Sequence, residues 1–271
     1  MEPIMTAEGI RVSYGSKTVI RGLDLRIRQG GITCIIGPNG CGKSTLLMAL
    51  SRGLRPGGGT VRLMGRDVYA FSQKAFAREV AMLHQEHECP ADLTVRELAK
   101  HGRFAHGKWW GGASDKDADS VGRALRRAGM EGFADRQVSS LSGGERQRAW
   151  IAMLLAQEPR LLILDEPTTF LDIAHQLDIL ELLSSLCRED RLTVVMVLHD
   201  VNQAARYSDE LVIMKDGALY GAGPPAEVLH PVALRDVFGV EARALRGPGG
   251  GMPYYVPVSS GVRRRAPEAG I

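Results

Sequence analysis

The sequence predicts an α/β protein: a parallel-sheet core, a β-rich opening, and a helical subdomain inserted between the core strands. Three observations carry this expectation. Short alternating segments at the start lead into an apolar, β-branched run, "GITCIIG". From about Ala75 to Gln157 the apolar spacing turns helical, with no convincing strand. Unbroken apolar runs then return in "RLLILDEP" and "LTVVMVLHD", the pattern of parallel strands covered on both faces.

Taken in order, "GIRVSYG" and "KTVIRGLDLRIRQG" read as short strands around a turn, and "GITCIIG" as a strand running into glycine. A helix is expected to begin near Ser44, and "LRPGGGTVRLMGRDV" follows as a Gly/Pro turn and a further strand. After the helical region, "IAHQLDILELLSSLC" lies between the two apolar strands and completes a βαβ unit. "ELVIMKDGALYGAG" reads as a hairpin turned by Asp216 and Gly217. "GPPAEVLH" then leads into a Gly/Pro-rich tail whose Arg263, Arg264 and Arg265 read as a solvated terminus. The expected layout is a single domain with no internal repeat. Residues 1–84 and 158–245 form the β-subdomain and core, 85–157 the helical subdomain, and 246–271 a C-terminal strand and tail.

A chain of 271 residues with 44% hydrophobic side chains can bury a sizeable core. Its formal net charge of +3 is too small to imply a nucleic-acid groove. No apolar run approaches the length of a membrane span, and the start "MEPIMTAEGI" lacks the layout of a secretory signal, so a cytosolic protein is expected. Cys34, Cys41, Cys89 and Cys187 are scattered without CxxC spacing, which suits reduced thiols. His84, His87 and Cys89 lie close together but lack a fourth ligand at a recognised spacing, so they do not read as a metal site.

The strongest chemical signal is "GPNGCGKST", residues 37–45, which satisfies G-x-x-x-x-G-K-[ST] between a strand and a helix. In this loop of Gly37, Pro38, Asn39, Gly40, Cys41, Gly42, Lys43, Ser44 and Thr45, the glycines let successive N–H groups curl around phosphate oxygens. Lys43 is expected to reach the β and γ phosphates, and Ser44 to ligate Mg²⁺. "LLILDEP" places Asp165 at the carboxyl end of an apolar strand as a second metal ligand, with Glu166 beside it to polarise water. Cys41 sits at a helix N-terminus, where a thiol pKa is lowered, so alkylation there is expected to block nucleotide binding.

A second anion site is legible in "LSGGERQR", residues 141–148. Ser142 and Glu145 form a capping box, so a helix begins there and runs until Pro159. Gly143 and Gly144 cost helix stability, and Arg146 and Arg148 lie at the unfavourable end of the helix dipole. An anion explains both. If the helical subdomain holds this site away from its own phosphate loop, a second copy facing the first head to tail would bring it over that copy's γ-phosphate.

The phosphate loop, "LSGGE", "LLILDEP", the Asp172 turn and His199, in this order over nearly the whole chain, resemble the ATP-binding cassette (ABC) ATPases. The resemblance implies a phosphate-loop NTPase fold with a RecA-like core, an antiparallel N-terminal β-subdomain and a helical subdomain. It implies ATP and Mg²⁺ as ligands. It also implies a head-to-tail homodimer in which Ser142, Gly143, Gly144 and Glu145 of one copy meet the nucleotide of the other. Carried over by position, Tyr14 resembles the aromatic that stacks on adenine, and Gln85 the glutamine that contacts Mg²⁺ and water. His199 resembles the histidine that contacts the γ-phosphate, and Asp172 a residue that communicates across the dimer while also capping its helix. "EPTTFLDIAHQLDILELL" together with "GPNGCGKSTLL" is most similar to importer ATPases for iron–siderophore complexes, with haem and cobalamin importers as relatives, and "VFGVEARALRGPGGGMPYYVPV" resembles that subgroup's C-terminal strand region. Separate membrane permease subunits, indirectly a solute-binding protein, and a place on the cytoplasmic face of the inner membrane follow, with no nucleic-acid partner. A soluble ABC ATPase acting on nucleic acid or ribosomes, and a small-molecule kinase sharing only the phosphate loop, are the alternatives from other classes.

Overall fold

The computed structural model describes residues 3–85, 92–107, 115–245 and 252–260. Strands β1 (Pro3–Tyr14) and β2 (Lys17–Arg28) pair antiparallel and run for twelve residues each, longer than the short strands the sequence predicts. Gly9 (φ 59°) and Gly22 (φ 100°) lie at register shifts in this pair, so bulges carry the ladder past glycines that look like strand ends in sequence.

Strand β3 (Ile32–Ile36) is buried throughout and leads into helix α1 (Lys43–Leu50). Then come β4 (Gly58–Leu63), β5 (Arg66–Asp67), helix α2 (Gln73–Glu79) and β6 (Val80–Leu83). β6 corrects the expectation that no strand follows Ala75. "VAML" has no period-2 signal. It is a strand because it pairs in parallel with β7 (Leu161–Leu164), from Val80 opposite Leu161 to Leu83 opposite Leu164.

Between β6 and β7 lie α3 (Val95–His101), α4 (Asp115–Arg127) and α5 (Gly143–Ala156), packed through Leu98, Val121, Leu125 and Ile151. After β7 come α6 (Ile173–Asp190), β8 (Thr193–Val197), α7 (Val201–Tyr207), β9 (Glu210–Lys215) and β10 (Ala218–Gly223). A two-stranded pair of β11 (Val240–Leu245) and β12 (Tyr254–Ser260) closes the described chain.

The central sheet has the order β10-β9-β3-β8-β7-β6, and all but β10 are parallel. β10 returns antiparallel through Asp216 (φ 49°) and Gly217 (φ 77°), the two left-handed residues a tight hairpin needs, as the Asp-Gly pair predicts. A separate antiparallel sheet has the order β2-β1-β4-β5.

Alternate residues of the central strands enter two different cores. Cys34, Ile36, Leu162, Leu164, Val194 and Met196 pack toward the helical side, while Ile35, Leu161, Ile163, Val195 and Val197 pack toward α1 and the antiparallel sheet. Burial on both faces explains the unbroken apolar runs, each such side chain contributing about 1.5–3 kcal/mol. Among the described residues no helix is long and apolar enough to cross a membrane.

Candidate functional site

Four of the parallel strands, β3, β6, β7 and β8, lead into polar residues that meet at one edge of the sheet. The loop after β3 is shaped by its glycines: a Cβ on Gly37 would run into the Met214 carbonyl, and Gly42 takes a left-handed conformation (φ 104°) just before α1. Gly42 has no side chain to cap that helix, so the first-turn N–H groups stay available to an anion. The buried Lys43 arches back beneath the loop, its Nζ donating to the carbonyls of Gly37 (2.9 Å) and Pro38 (3.1 Å). A cleft of about 500 Å³ opens beside it, lined by Val19, Asn39, Gly40, Gly42, Lys43, Ser44, Thr45, Gln85, Glu166 and His199.

Asp165 follows β7, and its N–H donates to the Leu83 carbonyl at 2.9 Å, fastening the end of β7 to the end of β6. Its carboxylate is buried, and among the described residues Oδ1 has no hydrogen-bond partner. Burial pushes the pKa of this group up; a hydrogen bond with Ser44 lowers it, and the neighbouring Glu166 charge raises it further. A buried carboxylate oxygen without a partner is costly unless a cation meets it. Together with the Ser44 hydroxyl, it forms the hard oxygen donor set that suits Mg²⁺, an ion that takes one or two protein oxygens and leaves the rest to water and phosphate.

Glu166 adopts a left-handed backbone (φ 53°), a strained conformation for a residue with a side chain. Its carboxylate is held from three directions. Gln85 Nε2 donates to Oε2 at 2.6 Å, Thr169 Oγ1 donates to Oε2 at 3.0 Å, and His199 Nε2 lies 2.6 Å from Oε1. Gln85 stands just beyond β6 and His199 just beyond β8, so three parallel strands converge on one carboxylate.

The second predicted site has a different setting. The Ser142 hydroxyl accepts from the Glu145 N–H (3.3 Å), and the Glu145 carboxylate accepts from the Ser142 N–H (2.8 Å), completing the capping box. That N–H bond and the Ser142 hydroxyl hold the Glu145 pKa down. Ser142 and Gly143 are exposed, and none of Ser142 to Glu145 lines the cleft of its own chain. Gly144 has a further reason to be glycine: a Cβ there would fall on the ring of His175. Asp172 caps α6 by accepting from the His175 N–H at 2.9 Å.

An ABC transporter family model matches residues 20–169, more than half of the chain. The chain belongs to the ABC transporter family. Two relatives match end to end. The petrobactin import ATP-binding protein FpuD of Bacillus anthracis is 43% identical, covering 98% of this chain and 97% of its own. The iron(3+)-hydroxamate import ATP-binding protein FhuC of Bacillus subtilis (strain 168) is 44% identical, covering 90% and 91%. A structure described as an inward-facing metal-chelate type ABC transporter superposes with a TM-score of 0.84 at 26% identity, covering 96% of this chain and 98% of that one. The dimeric bacterial ABC transporter cassette MJ0796 superposes with a TM-score of 0.71 at 26% identity, covering 82% and 98%.

This protein is therefore an ATP-hydrolysing ABC subunit, and family membership implies ATP and Mg²⁺ as its ligands. Within the ABC cassette, the structure brings Asn39, Gly40, Gly42, Lys43, Ser44, Thr45, Gln85, Glu166 and His199 to one cleft, with Asp165 buried beneath it. Tyr14 stands exposed at the end of β1, opposite Lys17, and does not line the cleft. His87 and Cys89 lie outside the described residues. Cys41 reverses one expectation. Its side chain is buried, and burial pushes the thiol pKa up, against the lowering effect of the Lys43 charge.

Sequence reasoning missed Val19, Thr169 and His175. Val19 reaches the cleft from β2 and carries no motif signal. Thr169, in "EPTTF", was within reach, since a hydroxyl three residues after a carboxylate can bond back to it across a tight turn.

Proposed function

We propose that this chain powers an importer of iron–siderophore complexes as a head-to-tail homodimer on the cytoplasmic face of the membrane, joined to separate permease subunits that receive solute from a binding protein. The observation that supports the two-copy reading is the helix terminus at Ser142, capped and exposed at Ser142 and Gly143, none of whose residues 142–145 lines the cleft of its own chain. The dimeric form of a related cassette supports it, and iron in the name of one close relative supports the cargo class.

In this reading Tyr14 stacks on the adenine, and the backbone N–H groups of residues 37–45 with Lys43 bind the phosphates. Ser44 and Asp165 would hold Mg²⁺ with Gln85 beside it, and the ion would supply neutralisation of the phosphate charge. Glu166 is the base. Held by Gln85, Thr169 and His199, its carboxylate is oriented to accept a proton from the attacking water. His199 orients Glu166 and would contact the γ-phosphate, while Ser142, Gly143 and Gly144 of the second copy would bind that phosphate from the other side.

Deletion of the gene followed by uptake of radiolabelled ferric siderophore, cobalamin and haem tests the cargo. Loss of ferric siderophore uptake alone is expected. Loss confined to cobalamin or haem would overturn the cargo assignment, and failure to co-purify with an integral membrane protein would overturn the permease partnership.

A further inference from the structure

We infer that His175 is a positioning residue that locks the Asp172 turn to the first turn of α5, so that the two elements offered to the second copy move as one body. The inference rests on the two-copy reading above.

The contacts are specific. His175 Nδ1 lies 2.8 Å from Asp172 Oδ2, while its backbone N–H donates to Asp172 Oδ1 at 2.9 Å. The carboxylate thus holds both the helix end and the imidazole ring in one orientation. The ring then fills the space where a side chain of residue 144 would begin: a Cβ on Gly144 would meet Cδ2 and, at 2.6 Å, Cγ of His175. Beside it, a Cβ on Gly143 would come within 3.3 Å of Leu171 Cδ2. Gln176 Nε2, next along α6, donates to the carbonyls of Leu171 (3.1 Å) and Thr168 (3.3 Å), which ties the same helix end to the loop carrying Glu166. Further along, Arg148 and Asp178 pair between α5 and α6 at 3.3 Å.

Gly143 and Gly144 therefore answer to neighbours in their own chain, apart from any anion they would bind. A bare backbone at residue 144 lets the imidazole approach, and the imidazole fixes the angle at which the helix terminus leaves the protein surface. Rotation of the ring to admit a side chain would break its bond to Asp172, so the cap on α6 and the aim of α5 are coupled.

Thermal unfolding and nucleotide-driven dimerisation test this. In an exposed helical turn alanine stabilises relative to glycine, so the sign of the change in Tm reads the contact. Gly144→Ala is expected to lower Tm, and His175→Ala placed on top of it to restore Tm. A Gly144→Ala protein as stable as the parent would overturn the contact. In a Glu166→Gln background, His175→Ala is expected to leave monomer ATP binding unchanged and to raise the ATP concentration for half-maximal dimer by roughly tenfold. His175→Asn, which keeps a polar atom near Nδ1, is expected to recover most of that loss. An unchanged dimerisation midpoint in His175→Ala would overturn the positioning role while leaving the two-copy reading standing. Absence of any ATP-dependent dimer in the Glu166→Gln parent would overturn the two-copy reading and the positioning role with it.

Discussion

Glu166 Oε1 lies 2.6 Å from His199 Nε2, while Oε2 of the same carboxylate accepts a 2.6 Å hydrogen bond from Gln85. The pairing arises because β7 and β8 are neighbours in register, Leu164 opposite Met196, so their carboxyl ends finish level. The carboxylate is oriented by side chains of its own chain, the condition a base needs to act without reorganisation.

Replacing Glu166 by Gln keeps the amide within reach of Thr169 and Gln85 and removes proton acceptance. Hydrolysis is expected to fall by about 10²–10⁴-fold with ATP affinity retained. The variant is expected to elute as a dimer with ATP on size exclusion. Turnover equal to the parent would remove Glu166 from the role of base.

His199→Ala releases one side of the Glu166 carboxylate. We expect kcat to drop by roughly 10²-fold with little change in the Kd for ATP, because misplacing a catalytic group costs rate more than binding. Steady-state kinetics beside equilibrium titration with a fluorescent nucleotide separate the two; a loss confined to affinity would contradict the assignment.

Cys41 is expected to resist alkylation in the folded protein. Its thiol pKa lies above the ordinary 9.0, so less thiolate is present at neutral pH than in an unfolded chain. Cys34 shifts in the same direction, and burial pushes Cys187 up to about 12. The sign for stability follows: the folded state holds these protons more tightly, so their contribution is complete below about pH 9 and is lost as pH rises through the folded values. Peptide mass spectrometry after iodoacetamide at pH 7.5 should show Cys41 reacting at least about tenfold more slowly folded than in urea. Equal rates would contradict the burial argument.

Arg103 anchors the helical region. Its guanidinium pairs with Asp117 at 2.8 Å and Glu158 at 2.9 Å and donates to the Ala156 carbonyl at 2.7 Å, with both Arg103 and Asp117 largely covered. Arg123 and Ser120 complete the shell around Glu158. Arg103→Ala removes this one donor from Asp117, Glu158 and the Ala156 carbonyl while Arg123 and Ser120 still hold Glu158, which we expect to cost about 2–3 kcal/mol and lower Tm by about 4–10 °C. Differential scanning calorimetry checks this, and a change below 1 °C would contradict it.

By itself, the sequence determined the phosphate loop, the Asp165–Glu166 pair, the Ser142 capping box, the Asp172 cap and the Asp216–Gly217 turn. Each is a local device: glycine freedom, a side chain reaching three residues along, or an apolar strand ending in acid leaves its mark in neighbouring letters. What only the tertiary structure decided is long-range. β6 became a strand through its pairing with β7, and β1 and β2 ran on through bulges. Gln85, Thr169 and His199 met on one carboxylate, Gly144 lay under His175, and burial overrode the helix N-terminus at Cys41. Such outcomes depend on which strand lies beside which and on how much water the packing excludes, and neither quantity is written in any short stretch of chain.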